Sequence, residues 1–403
     1  MFRNISNNKY DIFILFLIVS TIFGNVGGAL SVPRITGLLL ITHLLNIFNK
    51  EKMPFITSLK RWCFIFYIYA LISFMWTPDQ SQAFKELFYY FVHFVIFFEV
   101  IVFSKKAKNP LVFITLSFIF CVLFTSLIAF WELSTDNHLP YSSADEASAT
   151  RMDNEVIARN FAAVTFGNLN TYVTYLCLSI PFILYGMTIE NKIVKNLSIS
   201  ALVIAVILVL CNASRGGFLS VLLCIALYLF MIPKNKSVIF TFMVLLLVLS
   251  FLLYMNRDSI LLIISIRLAE EGIASDDSRF EIWINALKVF FDYAGLGSGI
   301  GGMNMAMAKY SKYGITITHN LFLEILCQYG LVFCLAFVFF LINMLITSRK
   351  FFCIKRNILV TISILSFPIT CIINSGYLLD PHLYIVLASI YVFANYERIR
   401  HIY

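Results

Sequence analysis

The chain has 403 residues, 60% of them hydrophobic, 16% aromatic and only 13% charged, with a formal net charge of +8. A mean hydropathy of +0.86 excludes an ordinary soluble globular domain, in which about a quarter of the residues are charged. The positive balance does not point to nucleic acid, because Lys and Arg are scattered through short loops and form no basic patch.

Apolar runs near the length of a membrane-crossing helix recur from one end of the chain to the other. Twelve spans are expected, at 11–31, 35–48, 62–76, 84–103, 110–133, 167–187, 197–211, 218–232, 238–255, 321–347, 358–374 and 383–396. The first, "DIFILFLIVSTIFGNVGGAL", has the make-up of a signal peptide, but the many spans behind it make it an uncleaved first helix. With the N-terminus in the cytoplasm, the inside loops are "NKEKMPFITSLKR", "SKKAKN", "ENKIVKN", "PKNKS" and "SRKFFCIKRN", each with at least two Lys or Arg. The opposite set includes "SVPR", "TPDQSQAFKE" and "NSGYLLDPH", with one or none. This asymmetry predicts both termini inside and residues 1–403 as a single integral-membrane domain.

Two outer connections stand out by length, 134–166 and 256–320, and long loops in a compact protein are commonly functional or disordered. The second contains "RFEIWINALKVFFDYAGL", an amphipathic helix with Phe280, Trp283, Leu287 and Phe290 or Phe291 along one stripe. That stripe is expected to lie on the bundle or in the membrane interface. "GLGSGIGG" follows and holds a formal GxGxxG at Gly297, Gly299 and Gly302. No strand precedes it and its position is extracytoplasmic, so it reads as a flexible or tightly turned connection and not as a nucleotide site.

The nine cysteines form no CxxC pair, and most sit within apolar runs, which predicts neither a disulfide framework nor structural zinc. The adjacent acids of the second outer loop, Glu270 with Glu271 and Asp276 with Asp277, have no histidine near them in sequence, so no metal site is expected.

The outward face nevertheless collects arginines against the charge rule: Arg151, Arg159, Arg215, Arg257, Arg267 and Arg279. A guanidinium holds phosphate through paired charge-assisted hydrogen bonds. Arg215, in "CNASRGGF", must sit at the outer mouth of the bundle, with Gly216 and Gly217 leaving room for a ligand beside it. The plainer alternative is a snorkelling arginine that closes a tight turn. Arg279 lies in the first turn of the amphipathic helix, where its charge opposes the helix dipole unless an anion binds. Its plainer alternative is a local pair with Glu281 or Asp277. Among six histidines, His43 and His93 read as interior groups, while His138, His382 and His401 lack supporting company. His319, in "ITHNLFLEILCQYG", precedes the tenth span, where the helix dipole favours a neutral imidazole able to act as a base. It could equally be an ordinary polar residue packed against Asn320.

Four segments, in order, resemble the O-antigen ligase and surface-polysaccharide polymerase superfamily: "FGNLNTYVTYLCLSIPF", "SRGGFLS", "SRFEIWINALKVFFDYAGLGSGIGG" and "THNLFLEILCQYGLV". The resemblance covers roughly residues 160 to 335. It implies an all-α polytopic membrane fold, a GT-C-type bundle of the second, lipid-linked-oligosaccharide kind. The implied activity moves an oligosaccharide en bloc from undecaprenyl diphosphate to an acceptor sugar hydroxyl on the outer face of the inner (plasma) membrane. It needs no cofactor, nucleotide sugar or metal. The acceptor is another lipid-linked repeat unit in a polymerase and lipid A-core in a ligase, with membrane lipids and a chain-length regulator as candidate partners.

On this reading His319 is the general base, and Arg215 and Arg279 clamp the diphosphate, with Arg159 able to replace either. Asn168, Asn170 and Asn320 are candidates for positioning sugar hydroxyls. A transporter of lipid-linked sugars is the reading from another class; it would place ionisable residues or broken helices at mid-membrane, whereas Glu99 and Glu132 lie near span ends.

Overall fold

The computed structural model of the chain describes residues 8–24, 26–140, 149–152, 155–158, 161–232, 276–311, 316–350 and 353–401. Five helices come first: α1 (Lys9–Ser20), α2 (Val32–Lys50), α3 (Thr57–Ser73), α4 (Gln80–Lys106) and α5 (Pro110–Thr135). Strands β1 (Ala149–Met152) and β2 (Glu155–Ala158) form an antiparallel hairpin, with Ala149 opposite Ala158. Then follow α6 (Leu169–Gly186), α7 (Lys192–Cys211), α8 (Arg215–Met231), α9 (Asp276–Asp292) and α10 (Met303–Ala308). The chain closes with α11 (Leu321–Arg349), α12 (Ile354–Thr370), α13 (Pro381–Ala394) and α14 (Tyr396–His401).

The protein is a polytopic helical bundle, and the hairpin in the long connection 134–166 is a small departure from the all-α expectation. Six described helices are long and apolar enough to cross a membrane: the segment ending in α3, and α4, α5, α6, α7 and α11. Eleven of the twelve expected spans coincide with described helices, while the ninth, 238–255, lies outside the described residues. The first span is shorter than the expected 11–31. Its α-helix stops at Ser20 and gives way to 3-10 turns at Thr21–Phe23 and Gly28–Leu30, around Gly27 at φ 95°.

Large aromatic side chains fill the interior. Phe118 of α5 stacks on Phe182 of α6 at 4.2 Å between centroids, and Phe66 of α3 meets Tyr329 of α11 edge-on at 4.8 Å. Leu39, Phe64, Leu127 and Phe339 are exposed on the helix exteriors, the surface a bilayer would cover.

The bundle has two distinct ends. At one, Glu51 pairs with Lys105 at 3.1 Å, Asn8 donates to Lys106 O at 2.7 Å, and Arg400 donates to Ala107 O at 2.5 Å. Residues near the two termini therefore meet on the segment that joins α4 to α5. The other end gathers the turns that the sequence assigns to the outside. Arg34 at the start of α2 donates to Leu379 O at 2.8 Å, Asn374 donates to Thr171 at 3.0 Å, and Ala162 N–H donates to Asn212 Oδ1 at 2.8 Å.

α11 is two helices joined at a break, because Gly330 takes φ 77° and ψ −175°, a conformation open essentially to glycine alone. The glycine-rich segment docks against this break. Ser298 N–H and Gly299 N–H donate to Cys327 O (2.8 Å) and Gln328 O (3.0 Å), and Leu331 N–H donates to Gly295 O at 3.1 Å. Backbone groups freed by the break are thus satisfied by the inserted segment. The same segment is held from the α3–α4 turn. Trp76 donates to Gly297 O, Thr77 donates to Ile300 O, and buried Glu86 accepts from Gly301 N–H and Gln328. "GLGSGIGG" is therefore tightly turned, as one of the two expectations had it, and packed into the bundle.

Candidate functional site

The site is built from helix ends, and local capping explains where each residue sits. After α7 the chain turns at Ala213 (φ 42°), and Ser214 caps α8 by accepting from Gly217 N–H at 3.2 Å. This leaves Arg215 as the first residue of α8, exposed at the bundle end. The two glycines beside it do not serve ligand access in the way expected. A Cβ on Gly217 would stand 2.4 Å from Val173, and one on Gly216 would stand 3.1 Å from Ile373. They let α8 approach α6 and the end of α12.

His319 lies just before α11 with φ 47°, in the left-handed region that non-glycine residues seldom occupy. Leu321 N–H donates to Cys371 O at 3.1 Å, which ties the start of α11 to the end of α12. Ile373, two residues further on, faces Gly216. The turn carrying Arg215 and the turn carrying His319 thus flank the same short stretch, 371–373, at one end of the bundle.

Arg279 reaches this end from α9. Trp283, one turn along, donates its indole N–H to Thr318 O at 3.0 Å, and the charge of Arg279 acts on the imidazole of His319. Burial first, and that positive charge second, hold the His319 pKa below the usual histidine value, so the ring is neutral at neutral pH. Its Nδ1 is buried without a hydrogen-bond partner among the described residues.

The packed face of α9 differs from the expected stripe. Ile282, Ala286 and Val289 are buried, with Asn285, against Met303, Ala306, Met307 and Cys327. Phe280, Leu287 and Phe291 point outward and are exposed, and only Trp283 of the expected stripe packs against this cluster. Helical spacing allowed both stripes, and the smaller side chains permit the closer approach to α10 and α11.

The three asparagines divide. Asn168 and Asn320 are N-caps: Asn168 Oδ1 accepts from Asn170 N–H at 2.7 Å, and Asn320 Oδ1 accepts from Phe322 and Leu323 N–H at 2.9 and 3.3 Å. Both carbonyl oxygens thus serve as caps, that of Asn320 with two accepted bonds and that of Asn168 with one, and their amide NH2 groups are the donors left for a sugar. Asn170 is half-buried in the first turn of α6. Arg159, Arg257 and Arg267 lie outside the described residues, and of Arg151 only the backbone, in β1, is described.

The other histidines also find company. His93 accepts from Arg34 Nε at 3.2 Å, as an interior group should. His138 and His382, expected to lack support, do not: His138 stacks on Phe161 beside Glu132, and His382 is buried against Tyr175.

Sequence reasoning passed over a second polar centre at this end. Arg34, Asp380 and Asn374 line a cavity of about 250 Å³ together with Thr21, Tyr89, Thr171 and Ser375. The signal was present in "SVPR" and "NSGYLLDPH", a lone cation and a lone acid in two loops that the charge pattern assigns to the same side. None of Arg215, Arg279 and His319 lines this cavity.

Two comparisons bear on these residues. Residues 200–341 match the family described as O-antigen ligase, a stretch that contains Arg215, Arg279, His319 and Asn320 and ends within α11. The teichuronic acid biosynthesis protein TuaE of Bacillus subtilis (strain 168) is 22% identical over 284 residues, which cover 68% of this chain and 57% of the relative. The chain thus spans little more than half of that protein. The family match over residues 200–341 falls on the same stretch that holds three of the four resembling motifs.

Proposed function

We propose that the chain is a glycosyltransferase of surface-polysaccharide assembly that uses a polyprenyl-diphosphate donor and polymerises repeat units on the extracytoplasmic face of the plasma membrane. Both termini are then cytoplasmic, and the long connections 134–166 and 256–320 lie outside. The observation that carries this reading is the convergence of Arg279, His319 and the Arg215 turn at one end of the bundle.

The chemistry asks for two things. As the acceptor hydroxyl oxygen attacks the anomeric carbon, the bond from that carbon to the diphosphate breaks, and negative charge grows on the leaving group. Arg215 and Arg279 stabilise that charge, with Arg159 as a further candidate for the clamp. The hydroxyl proton passes to the neutral imidazole of His319, whose lowered pKa keeps it unprotonated and ready. Attack opposite the leaving group makes the transfer a direct, inverting displacement that requires no metal.

Similarity to a protein named for teichuronic acid biosynthesis favours building a surface polymer over attaching one to lipid A-core. The docking of the Gly330 break against the glycine-rich segment and the α3–α4 turn favours an enzyme over a transporter, because the backbone freed by the broken helix is spent on packing and not on a bound ion. The test is incubation of the purified protein with undecaprenyl-diphosphate-linked repeat units, with and without lipid A-core, followed by product sizing. Ladders without the core acceptor are expected. Single-step transfer to the core would make it a ligase, and translocation without new glycosidic bonds would refute the enzyme.

A further inference from the structure

The cavity beside Arg34 is a built polar chamber with unspent hydrogen-bonding capacity. Arg34 is buried, stacks over Tyr89 at 3.9 Å, and directs its Nε to His93 and its terminal nitrogens to Gly28 O, Ala29 O and Leu379 O. Four of its five N–H donors are thereby used among the described residues, and one remains. Asp380 Oδ1 caps α13 by accepting from His382 N–H at 2.9 Å, while its other oxygen accepts nothing among the described residues. The two charges sense each other but make no direct ion pair. Asn374 spends its amide on Thr171, which leaves its carbonyl oxygen available.

The backbone keeps this space open. Gly28 (φ 57°) and Gly376 (φ 69°) both line the cavity, and a Cβ built on either would meet nothing within 4 Å. The volume, about 250 Å³, has room for a sugar ring. Polar groups facing such a space require partners from whatever enters it.

We propose that this cavity is a subsite for one neutral pyranose ring of the glycan substrate, separate from the diphosphate clamp. A ring hydroxyl bridges the gap between Arg34 and Asp380, accepting from the guanidinium and donating to the carboxylate. Neighbouring hydroxyls meet Asn374 Oδ1 and Ser375, and Tyr89 and Phe166 offer aromatic surface to the ring. A phosphate is the wrong ligand here, because the single arginine is offset by a carboxylate with a free oxygen. Asn374 stands one residue beyond Ile373, so the subsite adjoins the stretch shared by the Arg215 and His319 turns. The inference rests on the transferase reading for its substrate, and on the cavity alone for its chemistry.

The test is saturation-transfer NMR on the full chain in detergent, with the methyl glycosides of glucose, galactose and N-acetylglucosamine as probes and inorganic pyrophosphate as competitor. At least one glycoside should receive saturation, and pyrophosphate should not displace it. Asp380→Asn keeps a residue that caps helices well, and Ser375→Phe fills the cavity from a half-buried loop position; each should weaken binding about ten-fold or more. Absence of signal with all three glycosides, displacement by pyrophosphate, or wild-type binding in both variants would overturn the subsite. His319→Ala separates the two readings. It should lose glycan transfer and keep glycoside binding, so full transfer in that variant refutes the base while leaving the subsite standing.

Discussion

Trp283 Nε1 donates to Thr318 O at 3.0 Å, and this one bond ties the helix that bears Arg279 to the residue before His319. It sets the distance over which a guanidinium depresses the basicity of an imidazole. Trp283→Phe keeps the aromatic bulk and removes the donor, a loss of about 1 kcal/mol. The expected result is a several-fold drop in turnover with little change in donor KM, measured with lipid-linked repeat units.

The pH dependence follows from the same pair. Burial and Arg279 both disfavour the imidazolium, so the proton binds at a lower pH than in free histidine. Activity should hold through neutral pH and fall as pH drops through a midpoint below 6.5. Arg279→Gln removes the positive charge and should move that midpoint upward, besides lowering the rate. A midpoint that stays put would show that the two groups are not coupled.

Replacing His319 with Ala should abolish glycan extension at normal membrane abundance, read as chain length on a gel. Arg215→Lys keeps the charge but loses the planar fork, and a severe defect is expected. Near-full activity in that variant would assign Arg215 to the turn alone.

Gly330→Ala tests the helix break. The new Cβ would lie 2.3 Å from Gly295 O, in a backbone conformation that costs a side-chain-bearing residue about 1–3 kcal/mol. A lowered thermal midpoint in detergent is expected, with activity lost as the docked segment shifts.

Asn320 distinguishes a cap from a sugar contact. Asn320→Asp retains a good N-cap and should fold and work close to wild type, whereas Asn320→Ala should lose about 1 kcal/mol of stability. Loss of activity in the Asp variant with unchanged thermal stability would return Asn320 to the substrate.

What the sequence determined alone was the order of the helices, their alternation and the motifs at their ends. Membrane-length apolar runs and capping residues are local properties, legible within about twenty residues, and the described helices fall on the expected runs. Asn168 and Asn320 were visible as polar residues ahead of apolar runs, yet capping geometry decided that their carbonyl oxygens serve the backbone. The packed face of α9 was open to two readings, because helical periodicity cannot say which of two apolar stripes meets a partner.

Tertiary structure alone decided the rest. The break at Gly330 is stable only because a segment some thirty residues earlier supplies its hydrogen bonds, and that segment is held by Trp76 across 221 residues of sequence. Arg34 and Asp380 share a cavity for the same reason. The groups that satisfy a buried charge come from whichever turns the bundle brings together, and no local pattern records that pairing.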